Sequence, residues 1–460
     1  MTLINVSGAG QFMAAIQSAR AGDTLLLAPG NYGAVRLDGN ASPNLKFAGD
    51  VTIASAVAGS PAVFSDVTVS GVTNLNFENI DFIATPGGTS GDPVTITQSR
   101  GITVNNATFD GHQVGGIQNG LLVSASSDIQ ISNSELADFY FGAGFRIVDN
   151  LRLLNNDVHS MDLDGLRLAQ VTNTLIQGNR LHDMDGTTDG DHRDMIQFWT
   201  TETSAPSANV TIRDNVLDVG DGRSIQSLFI FNEAVSRYGA GAEMFYRNLL
   251  IENNRIEGTH PHGITVGETS GLTIRGNTVV KDPTNPYFMP GHEPKINVDP
   301  DSVGVTIAGN ITHGITGSQP GWTVTGNQIV PLSYVPGADG RDRHRRQRLA
   351  GRHRRRGHAA RLGRRRPAVR RRRAGRPDRR PLARPAARRR RRPRLRRPRR
   401  RRRRPDRRLR HRRQHGGRRR PGLRLGRHRR RPAVAGRDRQ HRHPGARQHR
   451  RRQRTKSAAA

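Results

Sequence analysis

The stretches LRLLNNDV (Leu151–Val158), TLIQGNRL (Thr174–Leu181) and VTIRDNVL (Val210–Leu217) are three copies of one pattern. It reads apolar, x, apolar, x, x, Asn, x, apolar. The pattern returns at Leu249–Ile256, Leu272–Val279, Val305–Thr312 and Trp322–Ile329, with weaker copies at Leu75–Phe82, Ile102–Phe109 and Ile129–Leu136. Its asparagines are Asn156, Asn179, Asn215, Asn254, Asn277, Asn310 and Asn327, spaced by 23, 36, 39, 23, 33 and 17 residues. Alternation of aliphatic and β-branched residues in short runs predicts strands rather than helices. The Gly or Asn that follows each run suits a turn with positive φ.

A period near 23 residues with insertions is the signature of a solenoid coil. Asparagines stacked in such turns can bond from coil to coil and satisfy buried backbone. The expected fold is all-β: a right-handed parallel β-helix solenoid over residues 1–338. A short helix over Gly10–Arg20, N-capped by Ser7 and apolar at Phe12, Ala15, Ile16 and Ala19, would cover its open end.

Each coil holds a second strand, at Gly144–Ile147, Gly165–Leu168, Met195–Phe198, Ser227–Ile230, Gly263–Val266 and Lys295–Val298. Aligned, they place Phe145, Leu166, Ile196, Leu228, Ile264 and Ile296 inward. The period of two then sends Arg146, Arg167, Gln197, Phe229, Thr265 and Asn297 outward in one ladder. Gly165, Met195, Ser227, Gly263 and Lys295 would form a second outward row. Coils stack about 4.8 Å apart, close to the rise of one sugar in an extended chain. An outward polar ladder on this sheet therefore predicts a polysaccharide groove. Its binding residues would be Arg146, Gln197 and Asn297, with Arg223 and His262 beside them.

The richest insertion, Asp183–Asp194 (DMDGTTDGDHRD), runs directly into one of these strands. Loops on a rigid scaffold are where catalytic groups collect. His192 suits a general base or acid, because an imidazole titrates near neutrality. Arg167 and Arg193 suit bidentate pairing with a substrate carboxylate. Lys295 is the alternative base or acid. Asp164, Asp189, Asp191 and Asp194 offer the hard oxygens that Ca²⁺ prefers, so Ca²⁺ is the expected cofactor. A solvated, Asx-rich loop is the plain alternative.

Over roughly residues 3–335 these coils resemble the pectate-lyase-like superfamily of β-helices. AGDTLLLAPGNYG (Ala21–Gly33) is similar to the first strand and turn of carbohydrate-active members. The resemblance implies an enzyme acting on an acidic polysaccharide. Uronate polymers are opened by neutralising the carboxylate and removing the C5 proton. A lyase then expels the 4-O-linked sugar by β-elimination, whereas a mannuronan-type C5-epimerase returns a proton to the opposite face. Alginate C5-epimerases of this fold carry an Asp-Pro-His-Asp/Glu motif. Asp191-His192-Arg193-Asp194 is the nearest match, without the proline. Lyases commonly use a Lys/Arg pair, for which Lys295 and Arg167 are a loose analogue. A hydrolase needs paired carboxylates, which Asp164 and Asp194 leave open. A non-catalytic glycan-binding or adhesin β-helix is the remaining alternative.

Composition splits the chain in two. Residues 341–460 hold 56 Arg and one Lys against four Asp and no Glu, a net of +53. Since the whole chain is +36, the first 340 residues carry −17. Averaging the two would mislabel the acidic part as a nucleic-acid binder. The tail from residue 339 has too few apolar residues for a core and reads as disordered. It would bind polyanions only through charge, and no specific nucleic acid is expected. RRRQR (Arg450–Arg454) is also what GC-rich codons for Gly-Gly-Ala-Gly-Asn-Asp become when read two bases out of frame. Those codons spell the calcium-binding repeat of RTX proteins, so the tail resembles a frameshifted RTX region. The chain has no cysteine, and its N-terminus lacks a basic region followed by an apolar one. The expectation is a secreted monomer exported without a cleaved N-terminal signal, with no membrane partner.

Overall fold

The computed structural model describes residues 1–85, 92–112, 118–184 and 192–336. They form a parallel β-helix in which each strand pairs with its counterpart one coil on. The coil has three faces. The first includes Asp194–Phe198, Gln226–Ile230, His262–Val266 and Lys295–Val298. The second includes Ala208–Arg213, Tyr246–Glu252 and Thr269–Arg275. The third consists of short strands such as Asp157–His159 and Val216–Asp218. Strands Asn119–Ser132, Phe141–Leu154 and Leu166–Gln177 run without a break from the first face to the second.

The repeated asparagines lie between the second and third faces. The residue before each one, such as Asn155, Gly178, Asp214 or Gly276, has φ between 55° and 68°. That left-handed residue aims the following side chain inward. Asn156 donates from both its main-chain N and its Nδ2 to Asn179 Oδ1, at 2.9 and 3.0 Å. Asn179, Asn215, Asn254, Asn277 and Asn310 repeat the arrangement, each donating to the next, as far as Asn327. Each Nδ2 also reaches a carbonyl of the previous coil, as Asn215 does to Ile176 O at 2.9 Å. The column begins one coil earlier than the asparagines do, because Ser134 N donates to Asn156 Oδ1 and Ser134 Oγ accepts from Ala107 N.

The interior is a continuous apolar core running from Val6 to Ile307. It is aromatic at its start, where Phe12, Phe64, Phe82 and Phe109 contact ring to ring. The capping helix spans Ala9–Ser18 and buries Phe12 and Ile16. Its N-cap is Gly8 rather than Ser7. Ser7 instead pairs through N and Oγ with Gln11 Oε1.

Two ladder assignments need correction. Leu166 lies opposite Ala143, so Gly144 and not Arg146 is the neighbour of Arg167. Matching the sequences on the glycine before each strand chose the wrong glycine. Gly142 is the true counterpart of Gly165, and a Cβ on it would meet Gly165 O at 2.6 Å. The error of two residues preserves the in–out alternation, so Phe145 stays inside, opposite Leu168. The second outward row does not face solvent either, apart from half-exposed Lys295. Met195 and Ser227 are buried, and a Cβ on Gly165 would fall 2.5 Å from Met195 O. These positions lie where the chain turns into the face, and they lean inward.

Around the candidate site the long connections border the first face, whereas 56–61 is an earlier insertion between the second and third faces. The 282–294 segment enters the first face from the third, and the 199–207 and 231–245 segments leave it toward the second. These connections fall within the asparagine spacings of 36, 39 and 33.

Candidate active site

Arg167, Gln197, Phe229, Thr265 and Asn297 lie in register on five consecutive coils of the first face. Arg167 is fixed from three directions. Its Nε lies 3.1 Å from Gln197 Oε1 and 3.2 Å from Asp164 Oδ2. Its guanidinium lies 5.0 Å from the ring of Phe141 and 5.1 Å from that of Trp199. Such a slot removes rotamer freedom before a ligand arrives. The side chain stays 31% exposed, and no described residue bonds its terminal nitrogens.

Beneath it lie two buried carboxylates. Asp164 Oδ1 accepts from Asp194 N at 2.8 Å. Burial first, and then the charge of Asp194, push the Asp164 carboxyl up to about 7. Burial also raises Asp194, against the pull of His192. Asp194 Oδ2 lies 2.9 Å from His192 Nδ1, joining a fully buried carboxylate to a ring that is 48% exposed. Its close pairing with Asp194, outweighing burial, raises the His192 pKa from its ordinary value. With Nδ1 engaged, the proton-transfer atom of His192 is Nε2.

Phe229 separates this group from a second one. Its ring meets His192 at 4.7 Å and His262 at 5.1 Å, both edge-on. His262 Nδ1 bonds Thr265 Oγ1 at 2.8 Å, and Asn297 Nδ2 bonds the same hydroxyl at 3.1 Å. His260 stacks on His262 and meets His292 edge-on. Burial and its imidazole neighbours push His260 down to about 4, and burial lowers His262 as well. These two rings are therefore neutral at neutral pH. Lys295 pairs with His262 across the strands and lies 3.8 Å from Glu293.

The structure thus brings together Arg167, His192, Asp164, Asp194 and Gln197. It places His262, Lys295 and Asn297 on the far side of Phe229. Arg223 lies before the Gln226–Ile230 strand, with its guanidinium 5.9 Å from the Tyr287 ring. Arg146 is the outlier: it faces Ala169, and its Nη2 donates to Glu202 O. Arg193 precedes the strand, and its carbonyl accepts from Gln226 N. Of the four aspartates expected to bind Ca²⁺, Asp189 and Asp191 lie outside the described residues. Asp164 and Asp194 face Arg167 and His192. Among the described residues no group of three or more acidic or imidazole side chains is arranged to hold a metal. Sequence reading missed Phe141, Trp199 and His292. The only available signal was a lone aromatic at a strand boundary, as at Trp199 directly after Met195–Phe198.

A family model described as a right handed beta helix region matches residues 65–228. Solved structures similar to this chain include a surface adhesin of Streptococcus pneumoniae, at 12% identity and TM-score 0.43, covering 70% of this chain and 86% of the other. An alginate lyase from a Paenibacillus species has 15% identity and TM-score 0.38, covering 71% and 99%. The A-module of a mannuronan C-5 epimerase from Azotobacter vinelandii has 16% identity and TM-score 0.39, covering 71% and 100%. No curated protein matches the chain.

Proposed function

We propose that the chain is an enzyme acting on an acidic polysaccharide, a uronate-polymer lyase working by C5 proton abstraction and β-elimination. The observation that carries this reading is the Asp194–His192 pair beside the immobilised Arg167. The uronate carboxylate pairs with the terminal nitrogens of Arg167, and its loss of charge acidifies the C5 proton. His192 Nε2 takes that proton, while Asp194 stabilises the imidazolium. The C4–O bond then breaks as the C4=C5 double bond forms, and the His192 imidazolium returns its proton to the departing oxygen, because Lys295 lies three coils away. Neutral His260 and His262 are poor donors for that step.

C5 epimerisation is the second reading. It shares the first step, served by the same Asp194–His192 pair and Arg167, and differs in returning a proton to C5 from the opposite face. Calcium remains a proposal for Asp189 and Asp191, and no step above passes through an ion. If that loop takes calcium, millimolar Ca²⁺ raises the Tm of the protein; an unchanged Tm removes the ion from the scheme.

The test is incubation of the full chain with alginate, pectate and glucuronan. New ultraviolet absorbance from an unsaturated uronate identifies the lyase. C5 proton exchange without cleavage identifies the epimerase. Binding without either makes the chain a glycan-binding module and ends the enzymatic reading.

A further inference from the structure

A separate cleft of about 530 Å³ opens on the second face, among coils that precede the candidate active site. Its floor is built by the same register logic. Thr52, Asn76, Thr103 and Gln130 form one outward row on four consecutive coils. Glu78, Asn105 and Ser132 form a parallel row two residues along each strand. The second row is tied together sideways. Asn105 Nδ2 donates to Glu78 Oε2 at 2.8 Å, and Asn105 Oδ1 accepts from Ser132 Oγ and Asn133 Nδ2 at 2.9 and 2.8 Å. The first row is less committed: among the described residues no side-chain bond holds Asn76 or Thr103. Gln130 has one long contact, 3.5 Å to Ser132 Oγ.

We propose that this cleft is a second binding site, for a neutral glycan chain. Amides and hydroxyls that both donate and accept, repeated about every 4.8 Å, match the hydroxyls of successive sugars in an extended oligosaccharide. The charged lining residues are Asp50 and Glu78, both acidic, with no Lys or Arg among the lining residues. The row's next member, Arg152, lies outside the cleft. A polyuronate is therefore repelled here, in contrast to the groove that holds Arg167. Phe77, at the base, is buried and offers no ring face for stacking. Recognition rests on hydrogen bonds, so binding is weak and specific to hydroxyl geometry. The proposal stands whether or not the first groove is catalytic.

The experiment is ligand-observed NMR on the full chain with neutral cello-, xylo-, malto- and inulo-oligosaccharides, and with oligoguluronate as the charged control. One neutral series is expected to bind the parent and the His192→Ala variant equally. Asn76→Ala and Gln130→Ala should each weaken that binding several-fold. Both sites are half-buried and outside the core, and an unchanged melting curve certifies each variant as folded. The proposal is overturned if no neutral series binds, if Arg167→Ala and not the cleft variants abolishes binding, or if oligoguluronate competes for the cleft.

Discussion

At the scale of single residues, the site is one buried acid pair supporting two working side chains. His192→Ala is expected to lower kcat by about 10²–10⁴-fold, the usual span of general acid–base catalysis, with an unchanged circular dichroism melt. The pH profile is more diagnostic. A base whose pKa is raised acts only when deprotonated, so kcat/KM should climb through a limb lying above 6.5. Asp194→Asn removes the charge that raises it, and the limb should move toward acid. A limb that stays in place would exclude His192 as the base. Arg167→Lys keeps the charge but loses the fork between Phe141 and Trp199. It should cost roughly 10- to 100-fold in kcat/KM, the worth of one good charge-assisted pairing. Asp164 predicts a trade-off. Its folded pKa is raised from 3.8 to about 7, so the folded chain binds the extra proton and stability falls as pH rises across that window. Asp164→Asn should therefore raise Tm above pH 7 while lowering activity, because Arg167 loses its charged partner. A Tm that falls at that pH contradicts the burial argument.

At the scale of elements, the asparagine column is the main internal device. Asn215→Ala leaves the main-chain amide of Asn179 without its acceptor, takes one of the two bonds from Asn179 Nδ2 and removes the side-chain donor to Ile176 O. Chemical denaturation should show a loss of about 3 kcal/mol, given about 1–3 kcal/mol for each buried unpaired group. A loss near zero would mean that the coil re-forms its bonds without the amide. The third face carries a pH-sensitive clip. Burial works against the charged form of His182, but hydrogen bonds to Asp157 and Asp183 outweigh it and raise its pKa. Asp183 is lowered, chiefly by the bond to His182. The histidine contribution is complete below 6.5 and is lost as pH rises through the raised value. The Asp183 contribution is lost as pH falls through its lowered one. The Tm difference between parent and His182→Ala should therefore be largest between those limits. The strands and the column were legible in the sequence because a two-residue period and an Asn every coil are local facts. The position of Arg146 was not. Register depends on which glycine meets which carbonyl across coils, and Gly142 and Gly144 look alike in a single sequence. Trp199 and Phe141 were hidden for the same reason: neither lies near Arg167 along the chain.

At the scale of the whole molecule, cohesion is nearest-neighbour. Coils bury one another in sequence, so stability should vary along the axis. Val324 and Ile329 in the last described coil are 40% and 61% exposed, whereas Ile251 and Ile256 are fully buried. Hydrogen exchange should release the 323–329 segment first and the 246–281 coils last. Uniform protection would contradict a modular stack. The charge split belongs to this scale too. Translating the DNA in the other two frames from about codon 340 should reveal a Gly-Gly-x-Gly-x-Asp ladder if the Arg-rich tail is a frameshift, and its absence removes the RTX reading. The asparagine column also has a direction. Every main-chain amide in it donates toward the later coils, which gives the column an acceptor pole and a donor pole, like a row of aligned magnets. A second copy could extend the column only by docking pole to opposite pole. The acceptor end lies inside the stack, beneath the earlier coils that the Ala9–Ser18 helix closes with Phe12 and Ile16 driven into the core. Two donor poles cannot complete each other. A fold made of stackable parallel coils thus carries its own stop against growing into a fibre.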